Sequence, residues 1–173
     1  MVAQHMIRDA GSPRSPLARL LRAWLLTAVA DGLWACVLTL LYGRPVLSVW
    51  QGVAATAFGP RMLEGGVPSA AIGVAMHFGV AFAWSAIFLL LVLRSPWLRG
   101  VLDSRNGVVK IAAVYGPFIW IVMSAVVIPL LVHKPLVITG RWWIQLLGHI
   151  VFVGVPIVWG IGRAAPKPLV AQS

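Results

Sequence analysis

The chain has 173 residues, of which 60% are hydrophobic and only 10% are charged, and its mean hydropathy is +0.92. Soluble globular domains have about 45–50% apolar and about 25% charged residues, so the composition excludes an ordinary soluble domain. The single cysteine, Cys36, excludes an internal disulfide and a metal site with several cysteine ligands. The net charge of +10 comes from basic residues between long apolar runs, which is typical of a membrane topology signal and not of a nucleic-acid surface.

Four apolar stretches are long enough to cross a hydrocarbon core about 30 Å thick. They cover about residues 23–42, 69–93, 107–131 and 142–162. We expect each to be a helix, because a helix satisfies its own backbone hydrogen bonds in lipid. The sequence therefore predicts an all-α fold, a four-helix up-down bundle that forms a single membrane domain over residues 1–173. Residues 1–16 are predicted to be a mobile cytoplasmic tail.

The basic residues are distributed unevenly between the two sides of the predicted bundle. Only four of the 14 lie on the side of the first and third loops, and ten lie on the side of the termini and the second loop. The positive-inside rule then places both termini in the cytoplasm, and we expect the bacterial cytoplasmic (inner) membrane. The ten residues are Arg8, Arg14, Arg19, Arg22, Arg94, Arg99, Arg105, Lys110, Arg163 and Lys167.

The first loop contains apolar residues at helical spacing between positions 45 and 59, namely Leu47, Trp50, Ala54 and Phe58. This pattern predicts a short outer helix, for which two placements are open. The helix lies in the outer interface, or it packs as a cap over the bundle. Trp50 is expected in the outer aromatic belt together with Trp142 and Trp143.

Three ionisable residues lie inside the predicted spans, where they are costly and indicate function by default. Asp31 lies about 16 Å from the outer end of the first span, and His77 and His149 lie about 12 and 10 Å into the second and fourth. Ser124 on the third span falls near the same depth. Each helix thus offers one polar residue to a layer in the outer half of the bilayer.

Three interpretations of this layer are open. It is a hydrogen-bonded polar core that fixes helix register, or a proton or ion relay based on Asp31 and the two histidines. As a third alternative, His77 and His149 are the two axial ligands of a haem b. Only this last interpretation requires a cofactor.

Several sequence stretches resemble a family of small four-helix bacterial inner-membrane proteins, with a distant similarity to the YagU type. The stretches are RPVLSVWQGVAATAF, MLEGG, AAIGVAMHFGVAFAW, VYGPFIWIVMSAVVIPL and LLGHIVFVGVPI, and together they cover roughly three quarters of the chain. The resemblance implies a four-helix inner-membrane protein and brings no mechanism or catalytic residue with it.

Motifs of soluble enzymes are absent from the sequence, including phosphate loops, HExxH, CxxC and GxSxG. We therefore expect a membrane protein that is not an enzyme, with the lipid bilayer and not nucleic acid as its partner. The sequence leaves the biochemical role unknown: the hypotheses are a small transport or proton/ion relay protein that uses the Asp/His cluster and, as alternatives, a haem-binding electron carrier or a structural membrane protein. Four helices enclose too little space for a wide pore, so a homodimer is compatible with transport. The identity of an ion or solute is not readable from the sequence.

Overall fold

The structure is a computed structural model that describes residues 15–162, and within this range it is helical with no strand. One turn of 3-10 helix, Pro60–Leu63, follows the second helix. The six helices are α1 (Pro16–Leu41), α2 (Leu47–Phe58), α3 (Gly66–Arg94), α4 (Pro96–Leu102), α5 (Gly107–Val132) and α6 (Gly140–Gly162).

Four of these helices, α1, α3, α5 and α6, are long and apolar enough to cross a membrane, with mean hydropathies between 1.8 and 2.2. With 23 to 29 residues each, they extend for about 35–44 Å, more than the roughly 30 Å of a hydrocarbon core. The protein is therefore a multi-pass membrane protein, and the predicted all-α four-helix bundle is confirmed.

Helix α1 begins seven residues before the predicted start of the first span, at Pro16. The hydroxyl of Ser15 accepts a hydrogen bond from the Ala18 N–H at 3.2 Å, which caps the first turn. Proline is favoured at the first helical position because its missing N–H would have no helical partner there. Of the predicted mobile tail, residues 1–14 lie outside the described residues, Ser15 is the N-cap of this helix and Pro16 is its first residue.

The bundle is held together by close backbone contacts at small residues. α1 packs against α3 and α6, and α6 packs against α5. A side chain at Gly160 would overlap Ala23 of α1, and one at Gly154 or Gly116 would overlap backbone carbonyls of the facing helix. Small residues bring helices close enough to gain dispersion energy in lipid, where no hydrophobic force acts between them.

The apolar core lies at the end of the bundle where α1 begins and α6 ends, which we call the terminus end. Its fully buried side chains include Phe88, Ile157, Val158 and Ile161. At the same end, the guanidinium of Arg19 donates from Nε to the Ile161 carbonyl at 2.7 Å and also from a terminal nitrogen. This contact satisfies a carbonyl at the C-terminal end of α6 and fixes α1 against it.

Helix α2 occupies the position predicted for the short outer helix, and it packs on α3. The backbone of Trp50 touches the α-carbon of Gly73 so closely that any side chain at Gly73 would clash with it. The Trp50 indole lies against His77, with the ring centroids 5.4 Å apart. The close α2–α3 contact directs the Trp50 ring into the bundle, and its location in the outer aromatic belt stays a prediction.

Helices α5 and α6 each contain one π-helical turn, at Met123–Val127 and Ile150–Gly154. Each turn ends two residues before a proline, Pro129 in α5 and Pro156 in α6. Proline cannot donate to the preceding turn and clashes with its carbonyl, and a wider turn accommodates both effects. π turns occur frequently at functional sites, and these two flank the site described next.

Candidate functional site

A cavity of about 280 Å³ lies between the helices and adjoins the apolar core, with which it shares Ile119, Val153 and Ile157. All five of the longer helices contribute to its wall, α2 included. Asp31, His77 and His149, three of the four residues predicted to form a polar layer, line this cavity. The remaining wall is mostly apolar, with Met76, Ile119 and Val153 among its residues.

Asp31 and His77 face each other across α1 and α3. The distance between Asp31 Oδ2 and His77 Nδ1 is 3.9 Å, and the two side chains are 20% and 14% exposed, respectively. The other ring nitrogen, His77 Nε2, lies 2.9 Å from the carbonyl oxygen of Ala28. A carbonyl oxygen only accepts hydrogen bonds, so Nε2 carries a hydrogen and donates a hydrogen bond to the Ala28 carbonyl.

This hydrogen bond determines what His77 presents to Asp31. With the proton on Nε2, a neutral imidazole has its lone pair on Nδ1, and an ionised carboxylate has acceptors only. Two hydrogen-bond acceptors would then face each other at 3.9 Å. One additional proton, on Nδ1 or on the carboxylate, removes this mismatch. The pair is therefore suited chemically to hold one exchangeable proton.

His149 lies on the opposite wall, on α6, and is 8% exposed. Its Nδ1 donates to the carbonyl of Gln145, one turn earlier, at 2.8 Å. In the neutral ring the lone pair is then on Nε2. All three titratable side chains border one cavity, and Asp31 and His77 form the close pair among them.

Aromatic side chains support both histidines. Besides the Trp50 ring on His77, the indole of Trp120 lies 4.8 Å from the His149 ring between centroids. Such contacts restrict the rotation of an imidazole, and so they fix which nitrogen faces which partner. Tryptophan from α2 and from α5 therefore positions the histidines of α3 and α6.

Ser124, the fourth predicted site residue, is not among the residues that line the cavity. Its hydroxyl accepts a hydrogen bond from Trp142 Nε1 at 3.0 Å, which joins α5 to α6. Ser124 lies within the π turn of α5. The structure therefore brings three of the four predicted residues to one cavity and gives Ser124 a contact between helices.

Sequence reasoning did not identify Gln145, which also lines the cavity. Its side-chain Oε1 accepts from Trp34 Nε1 at 3.1 Å, and its backbone carbonyl accepts from His149. A polar residue four positions before a membrane histidine lies on the same helix face, and this spacing is a signal that could have found it.

The haem alternative requires each imidazole to present one nitrogen to a common iron. His77 uses Nε2 for Ala28, and its Nδ1 faces Asp31, so neither nitrogen is directed to an iron shared with His149. The arrangement does not favour haem, which stays a prediction from the sequence.

A comparison of the chain with protein-family models, with curated proteins and with solved structures found no match. The family resemblance carried by the sequence stretches therefore stays a prediction.

Proposed function

We propose that the protein is a small proton-linked transport or relay protein, in which Asp31 and His77 hold the proton and His149 is the next acceptor. The observation that carries the proposal is the proximity of His77 Nδ1 and Asp31 Oδ2, which lie 3.9 Å apart. Membrane Asp and His residues are the common carriers of protons in pumps and transporters. Histidine exchanges its proton near neutral pH, which suits it to this role.

The cavity supports a proton function better than a purely structural one. A polar layer that only fixes helix register would be closed, with each group hydrogen-bonded to a neighbouring helix. Asp31 instead borders open space, and no hydrogen bond to its carboxylate is found among residues 15–162. A water molecule or a solute in that space would reach Asp31, His77 and His149 together.

The proposal includes an orientation and a location. The terminus end carries six basic residues within the described range, against four at the opposite end, Arg44, Arg61, Lys134 and Arg141. We infer that the terminus end faces the cytoplasm of a bacterial inner membrane and that the cavity lies in the outer half of the bilayer. The outer basic pair Arg44 and Arg141 lines a second cleft that shares Val49, Val53 and Thr56 with the cavity wall.

Proton flux into liposomes tests this function. Purified full-length protein is reconstituted with a trapped pH-sensitive dye, and a pH gradient is imposed across the membrane. The wild type and the control Asp103→Asn, which alters an exposed carboxylate in the loop after α4, are expected to dissipate the gradient at equal rates. Asp31→Asn is expected to reduce the rate to that of protein-free liposomes, because an amide does not exchange a proton at these pH values.

Two outcomes would contradict the proposal. An Asp31→Asn variant with wild-type flux would remove the carboxylate from the mechanism. A wild type without flux, in the presence and absence of small organic cations, would favour a structural role in which the polar layer sets helix register.

A further inference from the structure

The cavity wall combines one carboxylate with three tryptophans. Trp50, Trp84 and Trp120 contribute indole rings from α2, α3 and α5, and Asp31 contributes the carboxylate from α1. The cavity is lined by no lysine or arginine of the described range. Indole faces attract cations through the ring quadrupole, and this attraction strengthens where water is excluded. A membrane cavity with one anionic group and several indoles is suited to a positively charged ligand with an apolar body.

Two buried polar groups on the same wall have no hydrogen-bond partner in the described part of the chain. They are the Thr27 hydroxyl and the Trp120 indole N–H. Thr27 is only 2% exposed, and both residues line the cavity. A buried polar group without a hydrogen-bond partner is rare in proteins, and both groups belong to residues that border the cavity.

The volume of the cavity limits the size of the ligand that it can hold. An apolar cavity of about 150 Å³ is large enough to bind benzene, and this cavity has about 280 Å³. One aromatic ring with a small ammonium group fits such a volume, whereas larger drug-like molecules need cavities toward the upper part of the usual 300–1,000 Å³ range. The apolar residues Met76, Ile119 and Val153 offer a surface for the ring.

We propose that the cavity binds a small hydrophobic organic cation, with its ammonium group beside Asp31 and among the three indoles. This inference rests on the proposed function, for which it names the substrate class. A cation and the shared proton both compensate the charge of Asp31, so they compete for one site. Exchange of one for the other is the chemical basis of proton-linked transport of a cation.

Few titratable side chains lie near the proposed cation site. His77 from α3 and His149 from α6 are the other titratable groups on the wall, and the α2 and α5 walls contribute none. Arg44 and Arg141 line only the adjoining outer cleft. With both histidines neutral, Asp31 is the sole charge on the described wall, so we expect cations to bind better at alkaline than at acidic pH.

Calorimetric titration of the detergent-solubilised full-length protein tests the proposal. The probe is benzyltrimethylammonium, and phenylacetate and benzyl alcohol serve as anionic and neutral compounds of similar size. The wild type is expected to bind the cation at least about tenfold more tightly than either of the other two. Asp31→Asn and Trp120→Leu are each expected to weaken cation binding about tenfold or more. The matched controls Asp103→Asn and Trp143→Leu, which lie outside the cavity wall, are expected to retain wild-type affinity.

Size-exclusion profiles and melting temperatures establish that each variant is folded. A more conservative variant, Trp120→Phe, keeps an aromatic face and is expected to retain part of the affinity if the larger substitution unfolds the protein. Equal affinities for the cation, the anion and the alcohol would overturn the inference, as would unchanged cation affinity in folded Asp31→Asn.

The cation-binding experiment and the proton-flux experiment can give negative results independently of each other. Cation binding without proton flux would leave the cation site standing and contradict the proposed function. Proton flux without measurable cation binding by the wild type would contradict the cation site and leave the proposed function standing.

Discussion

At the scale of single residues, the orientation of one imidazole determines what the site can do. The backbone carbonyl of Ala28 accepts from His77 Nε2 and thereby directs Nδ1 toward Asp31. This carbonyl lies within α1, three residues before Asp31, so the same helix provides both partners of the ring. A histidine in another ring orientation would lack the exposed lone pair that makes the pair a proton carrier.

Replacement of His77 by glutamine separates the structural role of the ring from its titration. The amide of His77→Gln can still donate to the Ala28 carbonyl, but it cannot exchange a proton near neutral pH. We expect a folded protein whose flux in the liposome assay falls to the level of protein-free liposomes. The control is His133→Asn, outside the cavity, at a left-handed position with φ of 54° that asparagine tolerates. Wild-type flux in His77→Gln would assign the ring a positioning role only.

That these polar residues lie at similar levels along their helices was predictable from the sequence because the level follows from helix rise, and three of the four line one cavity. The rotation of each helix about its axis was not predictable in the same way. Ser124 lies in a π turn, whose additional residue rotates the following register by about 100° relative to an α-helix. Nothing in residue counting reveals such a turn, so the contact of Ser124 with Trp142 was not predictable.

At the scale of helices, α2 is the element that completes the site. Its apolar spacing predicted a helix, but the sequence left open whether the helix lies in the interface or packs on the bundle. The close approach of Gly73 and Trp50 resolves this choice, since it holds α2 against α3. This contact places the Trp50 indole in the cavity wall and against His77.

A methyl group at Gly73 tests the importance of this helix contact. In Gly73→Ala the new carbon would overlap the Trp50 backbone, and α2 must shift away from α3. Overpacking of this kind typically costs about 1–3 kcal/mol, so we expect a lower melting temperature in detergent and reduced proton flux. Gly79→Ala on the same helix is the matched control, because a carbon there meets no atom within 4 Å. Equal melting temperatures for the two variants would show that the contact is unimportant.

At the scale of the whole molecule, the bundle divides into a packed half and an open half. The terminus end contains the apolar core and the contact between Arg19 and the last helix. The other half encloses the cavity, with both π turns beside it. Under the proposed function, the packed half would hold the fold while the cavity receives a proton or solute.

Infrared difference spectroscopy of the reconstituted protein tests most directly whether the Asp31–His77 pair holds an exchangeable proton. Spectra recorded at acidic and alkaline pH report the protonated carboxyl groups. We expect the wild type and Asp103→Asn to share a pH-dependent carboxyl band that is absent from Asp31→Asn and altered in His77→Gln, because the two groups share the proton. A carboxyl band that persists unchanged in Asp31→Asn, or a wild type whose Asp31 contributes no pH-dependent band, would contradict the account.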